Sequence, residues 1–124
     1  MLEKFSVGID IIEVKRFASI TFSSHPTFYK KMFLPSEIKY CLKYKNPAPH
    51  FAGKFAVKEA AKKIIQGHIT MLDIETFHLK SKPMLRLKGT WDNKYLFKVS
   101  ISHEKNYAIA IVISEKLGSF ANHI

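Results

Sequence analysis

One stretch constrains the fold more than any other. His50 to Ile65 holds no proline and a single glycine, Gly53, and carries Ala52, Ala56, Ala60 and Ala61. Alanine costs least in a helix interior and proline most, so this composition predicts one long helix. Gly67 just beyond it reads as its stop, and Asn46-Pro47-Ala48-Pro49 reads as the break before it. On this helix Lys54, Lys58 and Lys62 form one i, i+4 row, and Glu59 and Lys63 form a second pair.

The elements around this helix are shorter. Phe5 to Ile12 reads as a strand, with Val7, Ile9 and Ile11 on one face and Gly8, Asp10 and Ile12 on the other. Apolar groups on both faces predict a buried strand. Glu13 to Ile20 and Thr27 to Phe33 read as short helices, with Lys15 and Arg16 turned outward on the first. Pro35-Ser36-Glu37 reads as a helix start capped by Ser36, with the helix running to about Tyr44. The second half is β-rich. Ile74–Leu79 and Met84–Lys88 flank a hairpin-like break at Lys80-Ser81-Lys82-Pro83, and Leu96–Ser102 and Tyr107–Ile113 are the last two strands. Tyr107 to Ile113 is nearly all apolar and is expected to be central. Helices and strands mix without a regular βαβ alternation. The expected class is α+β, a largely antiparallel sheet packed against one long and several short helices, in a single domain over 1–124.

Charge narrows the partners. Twenty basic against ten acidic residues give a formal net charge of +10, which favours an anionic partner over none. The single cysteine, Cys41, cannot form an internal disulfide and is read as a packed, inert thiol. No signal peptide is visible and no run approaches the roughly 20 apolar residues of a membrane helix, so the expected compartment is the cytoplasm. With ten Phe, five Tyr and one Trp, some aromatics are candidates to cover an oligomer interface.

Three features can carry chemistry. Asp10 is a lone carboxylate in a hydrophobic strand, next to Gly8, which leaves space for close approach of a ligand. Glu59 is a carboxylate on a lysine-rich helix, and Ser102-His103 forms a turn between two apolar strands. A carboxylate held from water must be neutralised by a proton, a base or a metal. Two carboxylates meeting at one place need a cation between them, and oxygen-only ligands suit magnesium with waters and phosphate oxygens completing its shell. Spacing alone leaves the plain readings open: Asp10 as a structural acceptor, Glu59 solvated or paired with Lys63, His103 as an exposed turn residue.

The motifs add more. Val7-Gly8-Ile9-Asp10-Ile11-Ile12-Glu13-Val14-Lys15-Arg16 closely resembles the opening of bacterial holo-acyl-carrier-protein synthases. Phe51 to Lys63 resembles their helix with a Phe-Ala-x-Lys-Glu core, and Val99-Ser100-Ile101-Ser102-His103 followed by Asn106 to Ala110 resembles a third signature. The resemblance implies a magnesium-dependent transfer of 4′-phosphopantetheine from coenzyme A to a serine of apo-acyl carrier protein. Adenosine 3′,5′-bisphosphate is released, in support of fatty acid biosynthesis. It implies Asp10 and Glu59 as magnesium ligands, and Lys54, Lys63, Pro83, Ser102 and His103 as coenzyme A contacts. It also implies Glu59 and Lys63 at the reacting centre and Lys15 and Arg16 as the docking site for an acidic carrier protein. Either Glu59 or a metal-bound water serves as base. The assembly it implies is a homotrimer, with no nucleic acid and no membrane as partner. The chain departs from the pattern at Ser81, where a glycine is usual before Lys-Pro. It departs again at Gly67–Met71, a shorter loop, and at Ser23 and Thr27, which stand where basic residues are common.

A second reading takes the chain as a small basic α+β nucleic-acid-binding module. Only two arginines, Arg16 and Arg86, and no RNA-recognition aromatic signature stand against it, and such a module has no need of Asp10 or Glu59.

Overall fold

The structure is a computed structural model that describes residues 2–117; Met1 and residues 118–124, the ends of the expected domain, lie outside the described residues. A 3-10 turn, Leu2–Lys4, leads into strand β1 (Phe5–Glu13). Helices α1 (Lys15–Ser19), α2 (Pro26–Met32), α3 (Pro35–Leu42) and α4 (Ala48–Lys62) follow. After a 3-10 turn at Met71–Asp73 come β2 (Ile74–Leu79) and β3 (Lys82–Leu87). A further turn at Gly89–Trp91 precedes β4 (Tyr95–His103) and β5 (Tyr107–Lys116). All strand pairs are antiparallel, in a three-stranded sheet β1-β5-β4 and a two-stranded sheet β2-β3. The α+β class holds, and β5 is central as its apolar run predicts.

α4 begins earlier than the composition suggests. Pro47 is its N-cap and Pro49 lies in its first turn, where a missing N–H costs nothing because those donors have no intrahelical partner. The prolines therefore open the helix instead of breaking the chain before it. The helix is buried from Phe51 through Lys58, and it packs on the inner face of the sheet. Gly8 sets the closeness of that packing: a Cβ there would stand 2.1 Å from the Ala60 carbonyl oxygen. The space beside Gly8 is thus filled by the helix backbone and not by a ligand, which corrects the sequence reading.

On the other flank, Phe17, Tyr29, Phe33, Phe51 and Phe55 form a buried cluster with ring centroids 4.7 to 6.5 Å apart. These aromatics build the core and do not cover an interface. Cys41 is fully buried, and desolvation pushes its thiol up to about 12, so it stays protonated and inert. The β2–β3 hairpin turns through Lys80 and Ser81 at φ +50° and +68°. Ser81 thus adopts the left-handed conformation that a glycine would hold more cheaply.

β1 is not buried on both faces. It is an edge strand, and Val7, Ile9 and Ile11 are 65%, 56% and 56% exposed. They pair across to Ile113, Ile111 and Ile109 of β5, making an apolar outer sheet surface that nothing among the described residues covers. The cap of α3 also differs from expectation. Leu34 is the N-cap, and Glu37 at the third helical position accepts its N–H at 2.7 Å, while Ser36 is exposed.

Glu37 does more than cap. Its carboxylate accepts from Lys58 Nζ at 2.5 Å, from the Thr76 N–H at 2.7 Å and from Thr76 Oγ1 at 2.6 Å. Lys58 Nζ also donates to the carbonyls of Met32 at 2.9 Å and Met71 at 3.0 Å. Both side chains are 0% exposed. Lys58 therefore spends its three ammonium hydrogens inside the protein and offers none to a phosphate. Removing one member of a buried pair strands the other charge. We predict that Lys58→Met costs about 3–5 kcal/mol, read as a lowered urea midpoint.

Candidate active site

The site is built where β1 meets the end of α4. Asp10 lies two residues beyond Gly8 on the same strand face, so the close packing at Gly8 carries it to the last turn of the helix. There Lys63 Nζ donates to Asp10 Oδ1 at 3.0 Å and to the Ile9 carbonyl at 2.8 Å. Lys63 follows Glu59 by one turn on the same helix face, so the contact brings both acids to one end of α4. Lys63 pairs with Asp10, and no ion pair between Lys63 and Glu59 is found among the described residues.

The Asp10 side chain is 16% exposed, and its Oδ2 is buried with no hydrogen-bond partner. An orphaned, buried carboxylate oxygen suits a hard cation. Among the described residues no group of three His, Cys, Asp or Glu side chains is placed to hold a metal. Two carboxylates are the usual protein share for magnesium, which keeps waters and takes phosphate oxygens. The residues present fit that ion.

A second constellation lies along α4 toward its start. Gly53 faces His103, whose Nε2 would stand 2.7 Å from a Cβ at position 53. His103 neighbours His50 at 6.3 Å between ring centroids, and His50 stacks on Tyr44 at 3.6 Å. Tyr44 donates its hydroxyl to Tyr40 at 3.0 Å, and Tyr40 stacks on His78 at 4.6 Å. His78 is the cross-strand partner of Pro83, so the ring wall runs from His103 to the hairpin. Ser102 is exposed beside His103.

Lys54 differs from the expectation of a ligand contact at the surface. It is buried, its Nζ donates to Thr76 Oγ1 at 3.1 Å, and it lies 4.6 Å from the Tyr40 ring centre. Burial holds its ammonium below the usual lysine range, opposed by the Glu37 charge. Lys15 is exposed with a 3.9 Å contact to Glu13, worth little in water, and Arg16 lies over the Phe55 ring at 5.0 Å. Both line an open hollow of about 530 Å³ that Ile11, Ile12 and Tyr107 share, just past Asp10 on β1.

Sequence reasoning missed Glu37, Lys58, Thr76, Tyr40, Tyr44, His50 and His78. Tyr40 and Tyr44 carried a signal, an i, i+4 aromatic pair on a helix. The others carried none, because contacts such as Lys58–Met71, Glu37–Thr76 and Tyr40–His78 join different elements 13 to 39 positions apart.

The family model of the 4'-phosphopantetheinyl transferase superfamily matches residues 6–112, and the chain belongs to that superfamily as a phosphopantetheinyl transferase enzyme. Within it, the similarity is to the holo-[acyl-carrier-protein] synthases. That of Thermodesulfovibrio yellowstonii is 41% identical over 110 residues, covering 86% of this chain and 95% of the relative. That of Halothermothrix orenii is 38% identical over 120 residues, covering 89% and 96%. The crystal structure of the Helicobacter pylori enzyme with coenzyme A has a TM-score of 0.74 at 32% identity, over 89% of this chain and all (100%) of the other. The Bacillus anthracis enzyme in complex with CoA (3',5'-ADP) has a TM-score of 0.75 at 29% identity, over 90% and 96%.

Burial lowers the pKa of His50 and His78 from the usual 6.5, helped at His50 by His103 and Lys54 and at His78 by Lys54, His50 and Lys43. Both rings are therefore neutral in the folded protein at pH values where the unfolded chain already binds protons. Their contribution to stability falls as pH drops below about 6.5, the unperturbed histidine value. His50→Phe keeps a ring against Tyr44 and removes one titration. Its urea midpoint is expected to fall less between pH 7 and pH 5 than that of the unaltered chain.

Proposed function

We propose that the chain transfers 4′-phosphopantetheine from coenzyme A to a serine of an apo-acyl carrier protein, with magnesium, releasing adenosine 3′,5′-bisphosphate. The observation that carries this reading is the buried, unpartnered Asp10 oxygen beside Lys63, which follows Glu59 by one turn of α4. Solved relatives described as complexes with coenzyme A support the choice of donor.

Asp10 and Glu59 hold the ion. Bound there, magnesium supplies Lewis-acid stabilisation of the diphosphate. Lys63, 53% exposed, is free to turn from Asp10 to a phosphate oxygen, where its charge stabilises the leaving group. The serine oxygen forms a bond to the pantetheine-side phosphorus as the bond to the bisphosphate oxygen breaks, and Glu59 accepts the serine proton. His103, Ser102 and Pro83 line the coenzyme A side, along the ring wall described above. Lys54 acts on the same ligand through its field from beneath Tyr40 and His50. Lys15 and Arg16 dock the acidic carrier, a role consistent with the net charge of +10. The apolar outer face of β1 and β5 is the surface on which we assemble a homotrimer. The service is fatty acid biosynthesis in the cytoplasm; no helix among the described residues is long and apolar enough to cross a membrane.

The deciding measurement is mass spectrometry of an apo carrier protein incubated with the enzyme, coenzyme A and magnesium. A gain of the phosphopantetheine mass that chelator abolishes is expected; no gain refutes the reading. Asp10→Ala and Glu59→Ala should each lower the transfer rate by more than about 100-fold while the chain stays folded, the scale of losing one electrostatic stabiliser. Full activity in either removes the metal assignment. Arg16→Glu should raise KM for the carrier protein and leave that for coenzyme A unchanged. Ile9→Lys, on the outer sheet face, should reduce the mass seen by sedimentation to that of one chain.

A further inference from the structure

A separate apolar groove lies elsewhere in the molecule. It opens between α2, α3 and the 3-10 turn at Met71–Asp73, has a volume of about 650 Å³, and shares no lining residue with Asp10, Glu59, Lys63, Arg16 or His103. Its floor is hydrocarbon: Phe33 and Ile38 are buried beneath it, while Leu42 and Leu72 stand 46% and 38% exposed along it. Every charged residue that lines it is a lysine, namely Lys30, Lys39 and Lys43. Lys39 and Lys43 are one helical turn apart on α3, and Lys30 reaches the groove from α2. Neither Lys30 nor Lys39 has an ion pair among the described residues.

We propose that this groove is a binding site for a long-chain carboxylate, a fatty acid anion lying along Leu42 and Leu72 with its head group among the lysines. Two features select that ligand. An alkyl chain asks for no directional partner, and the groove offers it no polar side chain other than the lysines; a ring system or a peptide needs convergent donors and acceptors to fix it. A rim of one sign, unneutralised by any lining carboxylate, selects an anion. The surface is concave and suits one chain, whereas a bilayer surface is met by apolar groups that protrude. The site goes beyond the transfer reaction and stands whether or not that reading of Asp10 and Glu59 is correct.

The test is calorimetric titration of the full chain with laurate below its micelle concentration. Saturable one-site binding is expected. Leu72→Asp should weaken it by about tenfold to a hundredfold, the worth of one buried leucine side chain. Lys39→Glu should weaken it as well. Dodecyltrimethylammonium, with the same chain and the opposite charge, should bind worse than laurate. The proposal is overturned by absence of saturable binding, by equal affinity for the two amphiphiles, or by laurate binding that both variants leave intact. It is overturned too if anionic phospholipid vesicles bind the chain while free laurate does not. Phosphopantetheine transfer by Leu72→Asp and Lys39→Glu, measured in parallel, should match the unaltered chain and establishes that both variants fold.

Discussion

The buried contact between Glu37 and Lys58 is the constraint on which the arrangement of helices depends. One ammonium and one carboxylate, both sealed from water, tie the end of α2, the start of α3, the turn at Met71, strand β2 and the middle of α4 to a single point. Such a pair adds little net stability over a well-packed apolar substitute, because desolvation offsets the attraction. Its value is selection: any other docking of α4 leaves a charge unpaired in the core. All three ammonium hydrogens of Lys58 have acceptors, and Glu37 accepts four bonds, so the network is complete.

Fixing α4 in this way fixes the site on its other side. Lys58 and Glu59 are neighbours in sequence, yet on a helix they point about 100° apart. Lys58 faces the core network, and Glu59 lies part-buried on a different face of the helix. The strand is held at close range by Gly8 against the Ala60 carbonyl, and Asp10 follows two positions later. Lys63 then bridges to Asp10 and leaves the second carboxylate oxygen without a partner. The helix thus serves as core and as active-site support at once, the usual way to hold polar groups within tolerance for catalysis.

The two polar wings of α4 differ in character. Near its end stand part-buried Glu59 and exposed Lys63. Near its start Lys54 is drawn inward to Thr76, and the rings of Tyr40, Tyr44, His50, His78 and His103 form a wall above it. That wall joins three segments distant in sequence, α3 with the start of α4, the β2–β3 hairpin and the end of β4. The outer sheet face is the opposite case, apolar and uncovered by any element among the described residues.

Much was legible in the sequence because it rests on local physics. The alanine-rich helix, the period-2 strands and the central apolar β5 follow from side-chain periodicity, and Asp10, Glu59 and Lys63 stood out within matched signatures. Other features needed the tertiary structure, since they depend on partners across the chain. Lys54 and Lys58 read as members of one lysine row until their acceptors, Thr76, Met32, Met71 and Glu37, came from other elements. Val7, Ile9 and Ile11 read as buried until β1 proved to be an edge strand covered on one face only. Lys63 read as the partner of Glu59, one turn away, and was claimed instead by Asp10. Sequence determined which groups are present and how they repeat; the fold decided which of them meet, because pairing energy depends on distance in space and not along the chain.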